Sequence, residues 1–200
     1  MVTAARPSAM SDDMGLMPQN RTVRTVVVSG VLAAIQLALG CTGIGFIPLP
    51  TGVNATILHI PAILAGVMEG WVAGLAVGGI FGLFSFLRST TPLFSNPIIA
   101  FGPRLLIGVV AYLVYRALRP INEPVALAAA GVLGTLTNTV LVLSLAVLLI
   151  GPNGTPYLSR DVAWSVALTN GVPEAIVGGI ITLAVGLAVR GAGRMRRSTV

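Results

Sequence analysis

The sequence predicts an all-α membrane protein: a bundle of six transmembrane helices with both termini in the cytoplasm. Three observations carry this reading. Of the 200 residues 55% are apolar, only 9% are charged, and the mean hydropathy is +0.93. Soluble domains hold about 25% charged residues. At roughly 20 residues per spanning helix, the chain has room for about six spans and none for a sizeable domain folding in water. Soluble catalytic and nucleotide-binding folds are therefore excluded. The net charge of +6 arises from 12 basic residues, all of them arginine, against 6 acidic ones. In a soluble chain that balance would point to nucleic acid. In a membrane protein it fixes orientation, because cytoplasmic loops collect basic residues, and no nucleic-acid partner is expected. One cysteine, Cys41, and one histidine, His59, exclude an internal disulfide, a Cys-rich metal or iron-sulfur site and a multi-His site.

Residues 1–24 are polar, contain Pro and Met, lack apolar periodicity and read as a disordered cytoplasmic tail. They do not have the layout of a signal peptide, since Arg21 and Arg24 precede a long apolar run without a convincing cleavage site. The membrane domain spans 25–189. Helix one covers 25–47 and runs into the breakers Pro48-Leu49-Pro50-Thr51-Gly52. A short second helix covers 54–68, and after Glu69-Gly70 a third covers 71–87. A polar, kinked loop with Arg88, Pro92 and Ser95-Asn96-Pro97 precedes helix four (98–118). Helix five follows (124–150), then a Gly/Pro-rich loop from Gly151 to Pro156, then helix six, ending at 189. Residues 190–200 form a basic cytoplasmic tail.

With the N-terminus inside, nine arginines (Arg6, Arg21, Arg24, Arg116, Arg119, Arg190, Arg194, Arg196, Arg197) lie on the cytoplasmic side and two, Arg88 and Arg160, outside. The three longer loops, near 48–53, 88–97 and 151–161, then share the outer face, which points to a pocket opening outward.

The chemistry lies in polar residues that a bilayer should exclude. An ionisable group at mid-membrane costs about 2.5 to 3.5 kcal/mol on the insertion scale, so one that persists is a candidate functional group. His59, Arg104 and Glu174 qualify. Asn54 and Thr56 lie above His59. Asn138 lies near mid-membrane among Thr135, Thr137 and Thr139, and Asn170 lies one turn above Glu174. All are placed to converge on one outward-facing polar cavity. Each has a plainer reading too: Arg104 with Glu174 as a structural ion pair, His59 as a partner for a carbonyl freed by Pro61, and Asn138 with its threonines as interhelical hydrogen bonding. Glu69 reads as a cytoplasmic turn residue. Small residues four apart recur as Gly30, Ala34 and Ala38 in helix one, as Gly74, Gly78 and Gly82 in helix three, and as Gly178-Gly179 in helix six. Internal packing explains most such cases, whereas an exposed stripe on helix one is a docking surface.

Absences narrow the class. There is no GxxxxGK[ST] loop and no lysine, so the chain is not itself a P-loop ATPase. There is no HExxH, no convincing Ser/His pair, and no pair of matching inverted halves. An enzyme would need a nucleophile, base and orienter in credible spacing, and none is found.

Several segments resemble one family: Pro48-Leu49-Pro50-Thr51-Gly52, the stretch from Thr56 through His59-Ile60-Pro61 to Gly66, Gly78-x-x-Phe81-Gly82, Asn96-Pro97, Pro103-Arg104-Leu105, Gly134-Thr135-Leu136-Thr137-Asn138-Thr139, and Asn170-Gly171-Val172-Pro173-Glu174. These look like the substrate-binding S component of energy-coupling factor (ECF) vitamin transporters, over about residues 25–189. Within that family the chain is most similar to the group handling pantothenate or the hydroxymethylpyrimidine precursor of thiamine.

The resemblance implies a multi-pass protein of the bacterial plasma membrane that captures one vitamin near the outer face, with loop 48–53 as a gate. It implies association with a transmembrane coupling protein and two cytoplasmic ATPases, which hydrolyse the ATP, so that this chain needs no cofactor or metal. Ala34 and Ala38 match the family's Ala-xxx-Ala motif facing the coupling protein. Substrate contacts are expected from Asn54, Thr56, His59, Arg104, Asn138, Asn170 and Glu174. Arg104 offers a planar donor fork for a carboxylate, which favours pantothenate, whereas Glu174 with Asn138 would suit an aminopyrimidine. A competing class is a membrane scaffold subunit without transport function.

Overall fold

The computed structural model describes residues 21–47 and 55–198. The expected tail up to residue 20, the 48–53 loop and Asn54 lie outside the described residues. The elements are α1 (Arg21–Thr42), β1 (Phe46–Ile47), β2 (Ala55–Thr56), α2 (Ile60–Glu69), α3 (Trp71–Leu87), α4 (Pro97–Leu118), α5 (Glu123–Leu148), α6 (Arg160–Val166), a π-helical turn (Ala167–Gly171) and α7 (Val172–Ser198). Counting α6 to α7 as one, six helical segments are present among the described residues, the number the sequence predicts. Four of them, including Arg160–Gly191, are long and apolar enough to cross a membrane, and α2 and α3 are shorter.

Helix one ends earlier than expected. Gly43 takes φ 78°, the left-handed conformation that terminates helices, and the Gly45 amide closes the end on the Leu39 carbonyl at 3.0 Å. The chain then pairs β1 antiparallel with β2, Phe46 opposite Thr56. Helix two accordingly begins at Ile60 rather than 54, with Pro61 in its first turn, where a missing amide costs nothing. Pro61 therefore frees no carbonyl for His59. At the other end of α2, Gly70 with φ 111° reverses the chain directly into α3.

The short α2, about 15 Å long, is the centre of the bundle. Residues Ile60 to Val67 are all buried, as expected of a helix that is apolar on every face. It packs against α1, α3, α4, α5 and α7, while α1 lies on α3, α3 on α4, α4 on α5, and α5 on α7. Close approach is provided by glycine. Gly74 and Gly108 meet backbone to backbone, Gly78 sits on the Arg104 carbonyl, and Gly131 faces Gly178 and Gly179. Asn96 and Asn122 cap α4 and α5, accepting from the amides of Ile98 (3.0 Å) and Val125 (3.1 Å).

Helix six is interrupted. Pro173 carries no amide to donate four residues back, and the helix widens into the π turn just before it. Beyond it α7 continues to Ser198, so the start of the basic segment after residue 189 is helical. Arg24 pairs with Glu69 at 3.2 Å, joined by the Thr25 hydroxyl at 2.8 Å, and Arg190 pairs with Glu123. These pairs lie at the arginine-rich end of the bundle. The hairpin and the loops before α4 and α6 form the opposite, loop end.

Candidate functional site

Arg104 lies in the second turn of α4, directly after Pro103. Because Pro103 lacks the amide that would bond to the carbonyl of Ile99, that oxygen is free, and Arg104 Nη1 donates to it at 2.6 Å. The side chain thus bends back toward the loop end and is held there by sequence-local chemistry. Its guanidinium lies 4.6 Å from the ring centre of Phe94 and 5.4 Å from that of Phe81, contacts worth about 0.5 to 2 kcal/mol each. The residue is only 4% exposed, and Nε has no hydrogen-bond partner among the described residues. Among the described residues no carboxylate pairs with it, the ion pairs there being Arg24–Glu69 and Arg190–Glu123. The expected alternative of an Arg104–Glu174 ion pair is not what the structure contains. A buried cation lacking a counter-ion is costly, and an anion with two acceptor oxygens is the chemistry that satisfies it.

His59 stands at the N-cap position of α2, makes no side-chain cap there, and is fully buried, at 0% exposure. Its Nε2 lies 2.9 Å from the Thr135 hydroxyl, which donates to the Gly131 carbonyl at 2.8 Å. With that proton committed, the ring donates from Nε2 and Nδ1 is left as a bare acceptor, with no partner among the described residues. Asn138, one turn along α5 from Thr135, is buried with Oδ1 unpartnered. Asn170 is buried on the π turn, where Thr169 Oγ1 donates to its side-chain oxygen at 3.0 Å and Gly171 fits against Thr139. The structure therefore gathers His59, Thr135, Asn138 and Asn170 along the α2–α5–π-turn contact, while Arg104 contacts Ile99, Phe81 and Phe94.

Glu174 bonds to the backbone of the hairpin. Its Oε1 accepts from the backbone amide of Thr56 at 2.5 Å. Thr56 thus contributes its backbone, and Asn54 lies outside the described residues. Among the aromatics, Phe94 flanks Arg104, whereas Trp164 is exposed. Sequence reasoning missed Gln36, which is 1% exposed, donates from Nε2 to the Val77 carbonyl at 3.5 Å and leaves Oε1 unpartnered. Thr182 is likewise buried with an unpartnered hydroxyl. The signal was present: a neutral amide in the apolar run of α1 invites the question asked of the charged groups.

A depression of about 620 Å³ opens at the loop end, lined by Ser89, Thr91, Ser95, Asn96 and Tyr157 among others. None of the expected substrate contacts lines it. Among the described residues no three of His, Cys, Asp and Glu come together as a metal site.

Ala34 and Ala38 are exposed, and at Gly30 on the same face a Cβ would meet none of the described residues within 4 Å. The opposite face of α1 buries Ala33, Gln36 and Gly40.

The family model "ECF transporter, substrate-specific component" matches residues 24–189. The chain is 36% identical over 156 residues to a pantothenic acid transporter PanT of Lactococcus lactis subsp. cremoris, covering 68% of this chain and 78% of that protein. It is 29% identical over 190 residues to a pantothenate transporter PanT of Leuconostoc mesenteroides subsp. mesenteroides, covering 85% and 93%.

Proposed function

The chain belongs to the substrate-specific component family of ECF transporters, and from that premise we propose that its substrate is pantothenate, anchored by its carboxylate on Arg104. It is a multi-pass protein of the bacterial plasma membrane and serves vitamin uptake as the substrate-binding S component. The observation that carries the substrate reading is the buried guanidinium of Arg104, held in place by Ile99, Phe94 and Phe81 and lacking a carboxylate partner among the described residues. The two relatives named as pantothenate transporters support it. Pantothenate also carries hydroxyls and an amide, which match the bare acceptors of His59 and Asn138.

In this reading the arginine-rich end faces the cytoplasm, both termini lie there, and the loop end receives the vitamin from outside. The exposed Ala34 and Ala38 face docks on the transmembrane coupling protein, and two partner ATPases supply the energy, so this chain needs no cofactor.

The test is thermal stabilisation of the detergent-purified protein across a panel of vitamins and precursors, because a ligand of the folded state raises stability by RT ln(1 + [L]/Kd). A selective shift with pantothenate, lost in Arg104→Ala, is expected. The unpartnered acceptors of His59 and Asn138 favour a second reading, an aminopyrimidine presenting N–H donors. A shift with hydroxymethylpyrimidine alone would replace pantothenate by that ligand, and silence across the panel would favour a scaffold subunit.

A further inference from the structure

In the β1–β2 ladder the amide of Ile57 points toward β1 and donates to the Gly45 carbonyl at 3.0 Å. Strand amides alternate in direction, so the neighbouring amide of Thr56 points away from β1, onto the open edge of a two-stranded ladder. Such an edge inside a membrane protein must find an acceptor within the fold. Glu174 Oε1 provides it at 2.5 Å, from a helix far away in sequence. Three residues beyond Thr56 stands His59, at the N-cap position of α2 and held from the other side by Thr135.

We infer that Glu174 is a positioning residue. It hydrogen-bonds β2 to the start of α7 and so fixes where His59 presents its free Nδ1, and it is not itself a ligand contact. The inference deepens the substrate-site reading above and rests on it for its functional consequence. The local sequence serves the same end. The π turn enforced ahead of Pro173 resets the helical register immediately before Glu174, and Gly171 lets that turn lie against Thr139 without a side chain between them. What the fold requires of residue 174 is an acceptor at glutamate reach. Negative charge is not the requirement.

Three substitutions in the full-length protein separate acceptor, reach and charge. Glu174→Gln keeps an acceptor oxygen at the same reach and removes the charge. Glu174→Asp keeps the charge and loses the reach. Glu174→Ala loses both. Amide hydrogen exchange of peptides covering residues 55–59, measured without ligand, reads the anchoring directly. We expect exchange there to accelerate at least tenfold in the Asp and Ala variants and to stay within about threefold of the parent in the Gln variant, with α4 and α5 unchanged. Pantothenate affinity should follow the same order, Gln near the parent and Asp near Ala. Parental protection in the Asp variant, or exchange in the Gln variant as fast as in Ala, overturns the inference. Should the Ala variant fail to fold, the Asp and Gln pair still decides. If the exchange pattern holds while the parent binds no pantothenate, the substrate assignment fails and the anchoring role of Glu174 stands.

Discussion

Helices α1 and α3 carry the same kind of small-residue stripe, Gly30, Ala34 and Ala38 in one and Gly74, Gly78 and Gly82 in the other, and the bundle treats them in opposite ways. On α3 the stripe is consumed. Gly74 meets the backbone of Gly108, Gly78 the carbonyl of Arg104, and Gly82 the backbone of Ala100 and the ring and backbone of Phe101. On α1 the stripe stays open, with Ala34 and Ala38 exposed and nothing described near Gly30. Spacing alone thus says that a close approach is possible, and the fold says whether it has already been used. The closed stripe builds the wall that holds Arg104, and the open one packs against none of the described residues.

The largest effect should come from filling the closed stripe. Gly78→Leu places a side chain where the Arg104 carbonyl already lies, and overpacking against backbone costs about 3 kcal/mol or more. Denaturation in detergent should show a collapsed melting temperature or no folded protein. A variant that melts like the parent would mean that the α3–α4 contact is not as described.

Next comes Arg104→Ala. Loss of hydrogen bonds to a charged group is worth about 1.5 to 3 kcal/mol, roughly a 10- to 150-fold weakening of anion binding. Stability of the unliganded protein should hold or rise, because a buried cation without a counter-ion has been removed. Equilibrium binding and melting measured on one preparation separate the two effects.

A smaller effect is expected at the head of the same helix. Asn96→Ala removes the cap on the Ile98 amide and should cost about 1 kcal/mol of stability, read as a modest downward shift in melting temperature with binding retained.

The smallest effect on stability belongs to the open stripe. Ala34→Leu with Ala38→Leu should leave the isolated protein within about 0.5 kcal/mol of the parent, with vitamin binding intact. Co-purification with a coupling protein and cellular uptake should nevertheless be lost. Retained assembly would show that this face is merely lipid-facing.

How much of this was legible in the sequence depends on which physical signal each feature carries. The spans were legible because length and apolarity are sufficient for them, as in α4 and α5. Arg104, His59 and Asn138 were legible because polar groups stand out against an apolar run, and the structure buries all three. The hairpin was not. Phe46, Ile47, Ala55 and Thr56 are apolar or β-branched residues next to apolar helices, and a two-residue strand has no period to detect. Nor was the absence of an Arg104–Glu174 pair, which depends on how far each helix is rotated about its axis. Pro173 signalled irregularity in helix six, but not that a π turn would aim Glu174 at a backbone amide. Gln36 escaped notice because a neutral amide between apolar residues carries no charge to flag it.

The central claim is that a carboxylate completes the site at Arg104, and calorimetric titration with pantothenate and with its neutral alcohol analogue, pantothenol, tests it most directly. The two differ only where the carboxylate would meet the guanidinium. The parent should prefer pantothenate at least tenfold, Arg104→Ala should lose the preference by weakening pantothenate alone, and Arg104→Lys should restore part of it. Equal affinity of the parent for both ligands, or a preference that survives in Arg104→Ala, would contradict the claim.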